Sequence, residues 1–221
     1  RHLLDESTKK NLIGKYGLSS LHYAAESGCF DVYKLFYAVA EVKNPKSSLM
    51  EHTPLHLAAE NGHTDLCCYI IDNVRVKNPE DTDGETPLHL AAQNGNYKIC
   101  ETIIRSYLCE PNPSDIDGNT PLHWAAENCH LNICQVIMDC IEVKNPKNNI
   151  GKTPLDYAKD HSDENIFRGL QDIIAEYTRK VRYSCTPLGR GGLRHNQEFH
   201  KSGSTSRSQH ENLSSESGSD S

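Results

Sequence analysis

The chain has 221 residues, of which 36% are hydrophobic and 24% charged, and its formal net charge is -7. The hydrophobic share is low for a single large core, and the excess of acidic over basic residues disfavours a protein that binds nucleic acid through a basic surface. No apolar run approaches the roughly 18 residues that a membrane span needs, so neither a nucleic-acid partner nor a membrane span is expected.

One seven-residue pattern recurs along the chain. It reads Thr-Pro-Leu-His-Leu-Ala-Ala from Thr53 and from Thr86, and Thr-Pro-Leu-His-Trp-Ala-Ala from Thr120. A weaker copy begins upstream at Ser19, and another begins downstream at Thr153. The five starts lie 34, 33, 34 and 33 residues apart, and this regularity predicts a stack of five structural repeats.

Each repeat is predicted to contain two helices. The Thr hydroxyl caps the first helix, Pro suits its first position because no amide donor is needed there, and Ala-Ala permits close packing. Gly28, Gly62 and Gly95 are expected to end first helices in the left-handed conformation, and Cys129 occupies that position in the fourth repeat. An Asn-Pro pair is expected to stop each second helix. These pairs are 44–45, 78–79, 112–113 and 145–146.

Apolar columns in the second helices predict where the core lies, because they follow helical spacing. The first column is Val32, Leu66, Ile99, Ile133 and Ile166, and the second is Phe36, Ile70, Ile103, Ile137 and Leu170. A third column, Tyr33, Cys67, Cys100, Cys134 and Phe167, accepts Cys or an aromatic and therefore indicates a buried apolar position. The odd number of cysteines shows no disulfide framework, which predicts a reducing compartment and a cytoplasmic location, with a nuclear one as the alternative.

These motifs resemble the ankyrin repeat family, whose unit is a turn followed by two antiparallel helices. The resemblance covers about 15–175 and extends to Asp83-Gly84 and Asp117-Gly118 before the Thr, and to Asn61-Gly62-His63 after the first helix. It implies an all-α fold, an ankyrin-repeat solenoid of paired antiparallel helices with short hairpin-like turns.

The same comparison of repeats predicts the domain boundaries. Residues 1–14 are interpreted as the remnant of a preceding repeat and a lead-in, because Leu3-Leu4-Asp5 occupies the repeat position of Ile70-Ile71-Asp72. Residues 15–180 form the ankyrin repeat domain, with cap positions at 19, 53, 86, 120 and 153. Residues 181–221 are Ser-rich and lack aliphatic periodicity, which predicts a disordered tail.

One histidine in each of the first four repeats stands three residues after the cap. The resemblance implies that these histidines are structural and bridge backbone groups between the turn and the helix. Neighbouring repeats are expected on the order of 10 Å apart, which is too far for them to share a zinc ion at ligand distances of roughly 2 Å. No metal site and no cofactor are therefore predicted. The four residues are His22, His56, His89 and His123.

The resemblance also implies a partner-binding surface, the concave face made of turn tips and exposed ends of first helices. Its predicted residues on the first helices are Glu26, Glu60, Asn61, Gln93, Asn94, Glu127, Asn128 and Asp160. Those on the tips are Leu49, Met50, His52, Asp83, Glu85, Ile116, Asn119 and Lys152. This acidic ladder beside apolar tips predicts a groove for a basic or mixed basic-apolar protein segment, although Glu and Asn also favour solvated helix ends.

The predicted function is that of a non-catalytic adaptor or scaffold that binds a protein partner. No nucleophile elbow, phosphate loop or H-E-x-x-H motif is present, so the chain is not expected to be an enzyme. One alternative is that it targets or regulates a larger enzyme or channel truncated upstream of Arg1. A second alternative is that aromatic first-helix positions bind a small ligand or a modified lysine, with a cation over Trp124.

Overall fold

The computed structural model describes residues 13–106, 112–160 and 164–184. A 3-10 turn at Lys15–Gly17 precedes ten α-helices in these ranges, which contain no strand and confirm the all-α prediction. The first helices of the five repeats are α1 (Ser20–Glu26), α3 (Pro54–Glu60), α5 (Pro87–Gln93), α7 (Pro121–Glu127) and α9 (Pro154–Asp160). The second helices are α2 (Phe30–Val39), α4 (Thr64–Asn73), α6 (Tyr97–Ser106), α8 (Leu131–Cys140) and α10 (Glu164–Ser184).

The helices form two rows. Each first helix packs on the first helix of the next repeat and on the second helix of its own repeat, while α4, α6, α8 and α10 pack in succession. The core lies between the rows, as the apolar columns predict. Five of its members are Leu66, Ile70, Ile103, Ile137 and Leu170, all at most 2% exposed. Val32 departs from its column at 42% exposed, because among the described residues no earlier helix pair covers the first repeat.

The cysteine column is buried as predicted in the first four repeats, whereas Phe167 of the fifth repeat is only partly buried. Cys67, Cys100 and Cys134 are fully buried, and Tyr33 takes the same place in the first repeat. Burial raises the pKa of the Cys100 and Cys134 thiols to about 12, so both are neutral and unreactive at physiological pH. All seven cysteines in the described part of the chain are free thiols.

The ends of the first helices also follow the prediction. Gly28, Gly62 and Gly95 have φ values of 68°, 76° and 76°, and Cys129 adopts the same left-handed conformation at 64°. A residue with a Cβ is strained there, because the left-handed region brings Cβ close to the following carbonyl oxygen. The fourth repeat therefore ends its first helix at an energetic cost that the first three repeats avoid.

The Asn-Pro pairs do not stop the second helices, and that prediction is wrong. The helices α2, α4 and α8 end at Val39, Asn73 and Cys140, each five residues before the Asn of the following pair. The Asn side chain instead serves the next repeat, since its Oδ1 accepts the N–H of the second residue of a first helix, an amide that has no partner within the helix. These bonds join Asn78 to Leu88 at 3.1 Å, Asn112 to Leu122 at 3.3 Å and Asn145 to Leu155 at 3.3 Å.

The two ends of the described stack differ in polarity. Leu35 and Val39 of α2 are 71% and 40% exposed, whereas Lys159 and Gln171 give the last repeat the polar outer residues expected of a terminal repeat. Helix α10 continues to Ser184, which is four residues into the segment predicted to be tail. Residues 1–12 of the predicted remnant and lead-in (1–14) and residues 185–221 of the predicted tail lie outside the described residues, and their structure stays a prediction.

Candidate functional site

A buried histidine joins each of the first four repeats to the next one. In the second repeat the N–H of Thr53 donates to Nδ1 of His56 at 3.0 Å, and Nε2 of the same ring lies 3.2 Å from the carbonyl oxygen of Glu85. Because Nδ1 accepts a hydrogen bond, the proton of the neutral ring must be on Nε2, which therefore donates to Glu85. The ring bridges its own helix cap and the tip of the following repeat.

The same geometry recurs at the other three histidines, and we call the set His22, His56, His89 and His123 the histidine ladder. The Nε2 atoms lie 2.8 Å from His52 O, 3.3 Å from Asn119 O and 3.2 Å from Lys152 O in the first, third and fourth repeats. All four rings are at most 1% exposed. Burial lowers the pKa of His56 to about 3 and that of His89 to about 4, so these rings are neutral near pH 7.

The turn tips are closed by a carboxylate or amide at their base. Oδ1 of Asp81 accepts the N–H of Asp83 at 2.9 Å and that of Glu85 at 2.8 Å, and Asp115 and Asn148 act in the same way in the next two tips. Sequence reasoning did not single out these three residues, although their side-chain acceptors at a fixed distance before the cap are typical of such turns.

Backbone hydrogen bonds run from each tip to the next. Thr82 N donates to Met50 O at 3.1 Å, Ile116 N donates to Asp83 O at 3.0 Å, and a bond of 2.9 Å joins Asn149 N to Asp117 O. The tips therefore form one connected row. Together with the exposed ends of the first helices, the tips at 47–52, 81–85, 115–119 and 148–152 make a surface that we call the tip face.

The ends of the first helices are held from the following repeat. Nε2 of His63 donates to Glu26 O at 2.9 Å, and Nε2 of His130 donates to Gln93 O at 3.2 Å. Between them, Nδ2 of Asn96 donates to Glu60 O at 3.3 Å. The backbone that carries the predicted acidic ladder is thus anchored, while the side chains of Glu26 and Glu60 are exposed to solvent.

The other predicted first-helix residues divide into two groups. Glu127 and Gln93 are partly buried, and Asp160 is exposed and pairs with Lys152 at 2.9 Å. The three asparagines cap their own helices, because each Nδ2 donates to the carbonyl four residues earlier and is engaged there. These bonds join Asn61 to Leu57 O, Asn94 to Leu90 O and Asn128 to Trp124 O at 2.9 to 3.0 Å.

The apolar tip residues are exposed. Leu49 and Met50 of the second-repeat tip are 60% and 41% exposed, and Ile116 is 63% exposed. Ile150, at the last tip, is 75% exposed. The structure thus places these side chains on the tip face, where a partner could contact them.

Asn119 is a correction to the predicted surface. It is 6% exposed, and its Oδ1 accepts hydrogen bonds from Asn148 Nδ2 at 2.8 Å and Tyr157 OH at 3.1 Å. Sequence position did not reveal this, because the burial depends on the donor amide at residue 148, where the two preceding tips carry an aspartate that has no donor. His52 is also more enclosed than predicted, since its side chain is 20% exposed and Nε2 lies 3.0 Å from Asp81 Oδ2.

Four acidic residues meet at the centre of the tip face, and we call Glu60, Asp81, Asp83 and Glu85 the acidic cluster. Partial burial raises the pKa of Glu85 to about 7, and the neighbouring carboxylates Asp81, Asp115, Asp83 and Glu60 add to the rise. Within the described ranges no Lys or Arg forms an ion pair with Glu60, Asp83 or Glu85, and Asp81 pairs only with His52. The cluster therefore carries negative charge that no lysine or arginine in the described part of the chain neutralises in an ion pair.

A cavity of about 190 Å³ opens on the tip face between the first two repeats. Its lining is mostly apolar and includes Leu18, Leu49, Met50 and Leu57, with Glu26 as its acidic member. Leu57 is buried at 9% exposed, whereas Leu49 and Met50 belong to the exposed tip. We call this space the first-interface cavity.

The alternative function places a small-ligand or modified-lysine site at the first-helix positions that come directly before the Ala-Ala pair. Most of the side chains at these positions serve packing. Leu57 and Leu90 are buried, and Trp124 is partly buried with its indole Nε1 sealed from solvent. Tyr157 is engaged through its OH with Asn119, and its ring lies edge-on to His123 at 5.8 Å. Tyr23 is the most open member of this set at 45% exposed.

A family description of ankyrin repeats in three copies matches residues 21–115 and 102–180. The chain belongs to the ankyrin repeat family. No curated protein sequence matches it. Ankyrin repeats are in general protein–protein interaction modules, so the tip face of this ankyrin repeat protein is its candidate interaction surface.

Across 13–106, 112–160 and 164–184, no helix has both the length and the apolar character to cross a membrane. In the same part of the chain, no group of three or more His, Cys, Asp and Glu side chains is arranged to hold a metal ion.

Proposed function

We propose that the chain is a non-catalytic adaptor or scaffold that binds a basic or mixed basic-apolar segment of a partner protein on its tip face. The observation that supports this proposal most is the acidic cluster, whose charge has no lysine or arginine counterpart among the described residues. A cationic partner would supply that counterpart, and complementary charge speeds encounter and selects among partners.

Hydrogen bonds that hold the backbone of the tip face support the same proposal. The carbonyl groups of Glu26 and Glu60 are held by His63 and Asn96, and Glu85 O is held by His56. Because these positions are fixed before a partner arrives, binding would order side chains alone and would lose little backbone entropy. Exposed Leu49, Met50 and Ile116 would contribute apolar contacts beside the charged ones.

The test begins with capture of proteins from a cell lysate by three immobilised versions of the full chain. One is the natural sequence, one carries Glu60→Lys with Glu127→Lys, and one carries Asp72→Lys as a control, because Asp72 is exposed on α4 rather than on the tip face. A candidate partner is then purified and its affinity for each version is measured at about 50 and 200 mM salt.

We expect the double variant to bind at least tenfold more weakly at the lower salt concentration, with a smaller difference at the higher one because salt screens exposed charges. The Asp72→Lys control should bind like the natural chain. Equal affinity of all three versions for every purified partner would exclude the tip face as an acidic docking surface.

A further inference from the structure

Two neighbouring features of the tip face differ in chemistry. Between the first two repeats lies the first-interface cavity, with Leu18 and Leu57 in its lining and the exposed Leu49 and Met50 at the tip beside it. The acidic cluster lies at the next interface along the row. The next interface does not repeat the apolar pair, because Thr82 and Asp83 replace Leu49 and Met50 one repeat later.

The cavity has room for one apolar side chain. Its volume is about 190 Å³, well above the roughly 10–15 Å³ that a single water molecule needs. A side chain of the size of leucine or methionine would displace water from this space, and burial of its apolar surface against leucines is favourable. Glu26, the acidic member of the lining, is exposed and solvated.

The acidic cluster favours a cation, whereas the first-interface cavity favours an apolar side chain. Glu85 is partly buried among carboxylates, and a cation placed next to it would relieve their mutual repulsion. Of its members, Asp81 already has a partner in His52, so Glu60, Asp83 and Glu85 are the carboxylates available to an incoming cation.

Direct contacts establish that the cavity and the cluster are neighbours. Met50 lines the cavity, and its carbonyl oxygen accepts the N–H of Thr82, which precedes Asp83 in the cluster. His52 also lines the cavity, and its Nε2 lies 3.0 Å from Asp81 Oδ2. Helices that pack on each other in neighbouring repeats generally lie about 8–10 Å apart, and an extended chain covers such a distance in about three residues at roughly 3.3 Å each.

We propose that the tip face binds an extended partner segment in which a leucine-sized apolar side chain occupies the first-interface cavity and an arginine or lysine about three residues away contacts Glu60, Asp83 and Glu85. This inference rests on the proposed function and adds to it the place and the spacing of the two anchors. The apolar anchor contributes burial, and the basic anchor sets the register of the segment along the row.

The probe is an acetylated synthetic peptide, Gly-Ser-Leu-Gly-Ser-Arg-Gly-Ser, together with the version in which Leu and Arg are exchanged. Each peptide is titrated into the isotope-labelled full chain, and backbone amide shifts are followed by NMR. Three comparison peptides replace Leu by Ser, replace Arg by Ser, or place Leu and Arg next to each other.

We expect one of the two orders to shift the amides of Leu18, Met50, Asp83 and Glu85 together, with a Kd about fivefold or more below that of each comparison peptide. Leu49→Ser with Met50→Ser should remove the dependence on Leu and keep the dependence on Arg. Asp83→Asn with Glu85→Gln should do the reverse, and the control Asp72→Asn should change neither.

Three results would overturn the inference. If the peptides shift tip-face amides with no dependence on Leu or on spacing, the two-anchor arrangement is wrong although the tip face still binds. If Glu26→Gln, rather than the variant of Asp83 and Glu85, removes the dependence on Arg, then the cation occupies the cavity. If no peptide shifts a tip-face amide, the two anchors are absent, and the proposed function is then decided separately by the purified partner.

Discussion

The histidine ladder and the residues just before each cap repeat with the same interval, yet they behave differently. Every ladder position is histidine, whereas the residue before the next cap is His52, Glu85, Asn119 or Lys152. The two sets meet in one hydrogen bond, because each ladder ring donates to the backbone carbonyl of the residue before the next cap.

In each of these contacts one residue maintains the structure, and the side chain of the other is available for recognition. The histidine ladder requires the imidazole ring, since both ring nitrogens form hydrogen bonds. The residue before the next cap contributes only its backbone carbonyl to this contact. Its side chain is therefore free to change without loss of the stack, and three of the four, His52, Glu85 and Lys152, are only partly buried or exposed on the tip face. The residue type thus varies where the stack uses only the backbone carbonyl and does not depend on the side chain.

The largest effect is expected when a histidine of the ladder and a residue that precedes a cap are truncated in turn. His89→Ala leaves the buried N–H of Thr86 and the carbonyl of Asn119 without partners and opens a cavity, so the free energy of unfolding should fall by about 3 kcal/mol in urea denaturation. Glu85→Ala, at the partner position of His56, should change it by less than about 1 kcal/mol. Equal losses of unfolding free energy for the two variants would contradict this division between a structural histidine and a variable residue before the cap.

Acid should weaken the ladder itself. The folded pKa of His56 is about 3 and that of His89 is about 4, below the unfolded value near 6.5, so the unfolded chain binds more protons in this range. Stability that is complete above pH 6.5 should fall as the pH drops toward 4, by about 2 kcal/mol per ring at pH 5. The midpoints of urea denaturation at pH 7.5 and 5.0 measure this loss of stability, and His89→Gln should reduce the difference between the two midpoints. A midpoint that is higher at pH 5.0 would refute it.

Cys129→Gly should stabilise the framework, because it removes a Cβ from a left-handed residue with φ of 64°. We expect an increase of about 1–2 kcal/mol in the free energy of unfolding and a higher Tm in a thermal melt. Cys29→Gly is the matched control, since Cys29 has φ of -74° before α2 and gains no such relief. An unchanged or lower Tm for Cys129→Gly would show that the strain is relieved elsewhere.

The smallest effect belongs to the tip face and has the opposite pH dependence. Because the folded pKa of Glu85 is raised to about 7 from an ordinary 4.5, stability should fall as pH rises through this interval. Glu85→Gln should therefore raise the free energy of unfolding at pH 8 by about 1 kcal/mol, a figure reduced for solvent screening, and should change it little at pH 5. Asp72→Asn on α4 provides the control, and a gain equal at both pH values would exclude the electrostatic explanation.

Much of the fold could be predicted from the chain, because local chemistry dictates it. The Thr or Ser caps, the left-handed glycines and the columns through Ile70 and Cys100 follow from residue type and spacing within one repeat. The Asn-Pro pairs were misread for the converse reason. The bond from Asn78 to Leu88 links the loop of one repeat to the first helix of the next, and helix-ending rules treat each helix alone.

Prediction of the candidate site from the sequence meets the same limit, because it depends on contacts between repeats. The residues on the tips and first-helix ends could be read from the amino-acid sequence, since their positions depend on the 33- or 34-residue interval. The burial of Asn119 by Asn148, the crowding of carboxylates around Glu85 and the cavity beside Met50 became visible only in the folded stack. Burial and charge at a tip depend on the side chains of the neighbouring repeats, and those contacts exist only once the repeats are stacked.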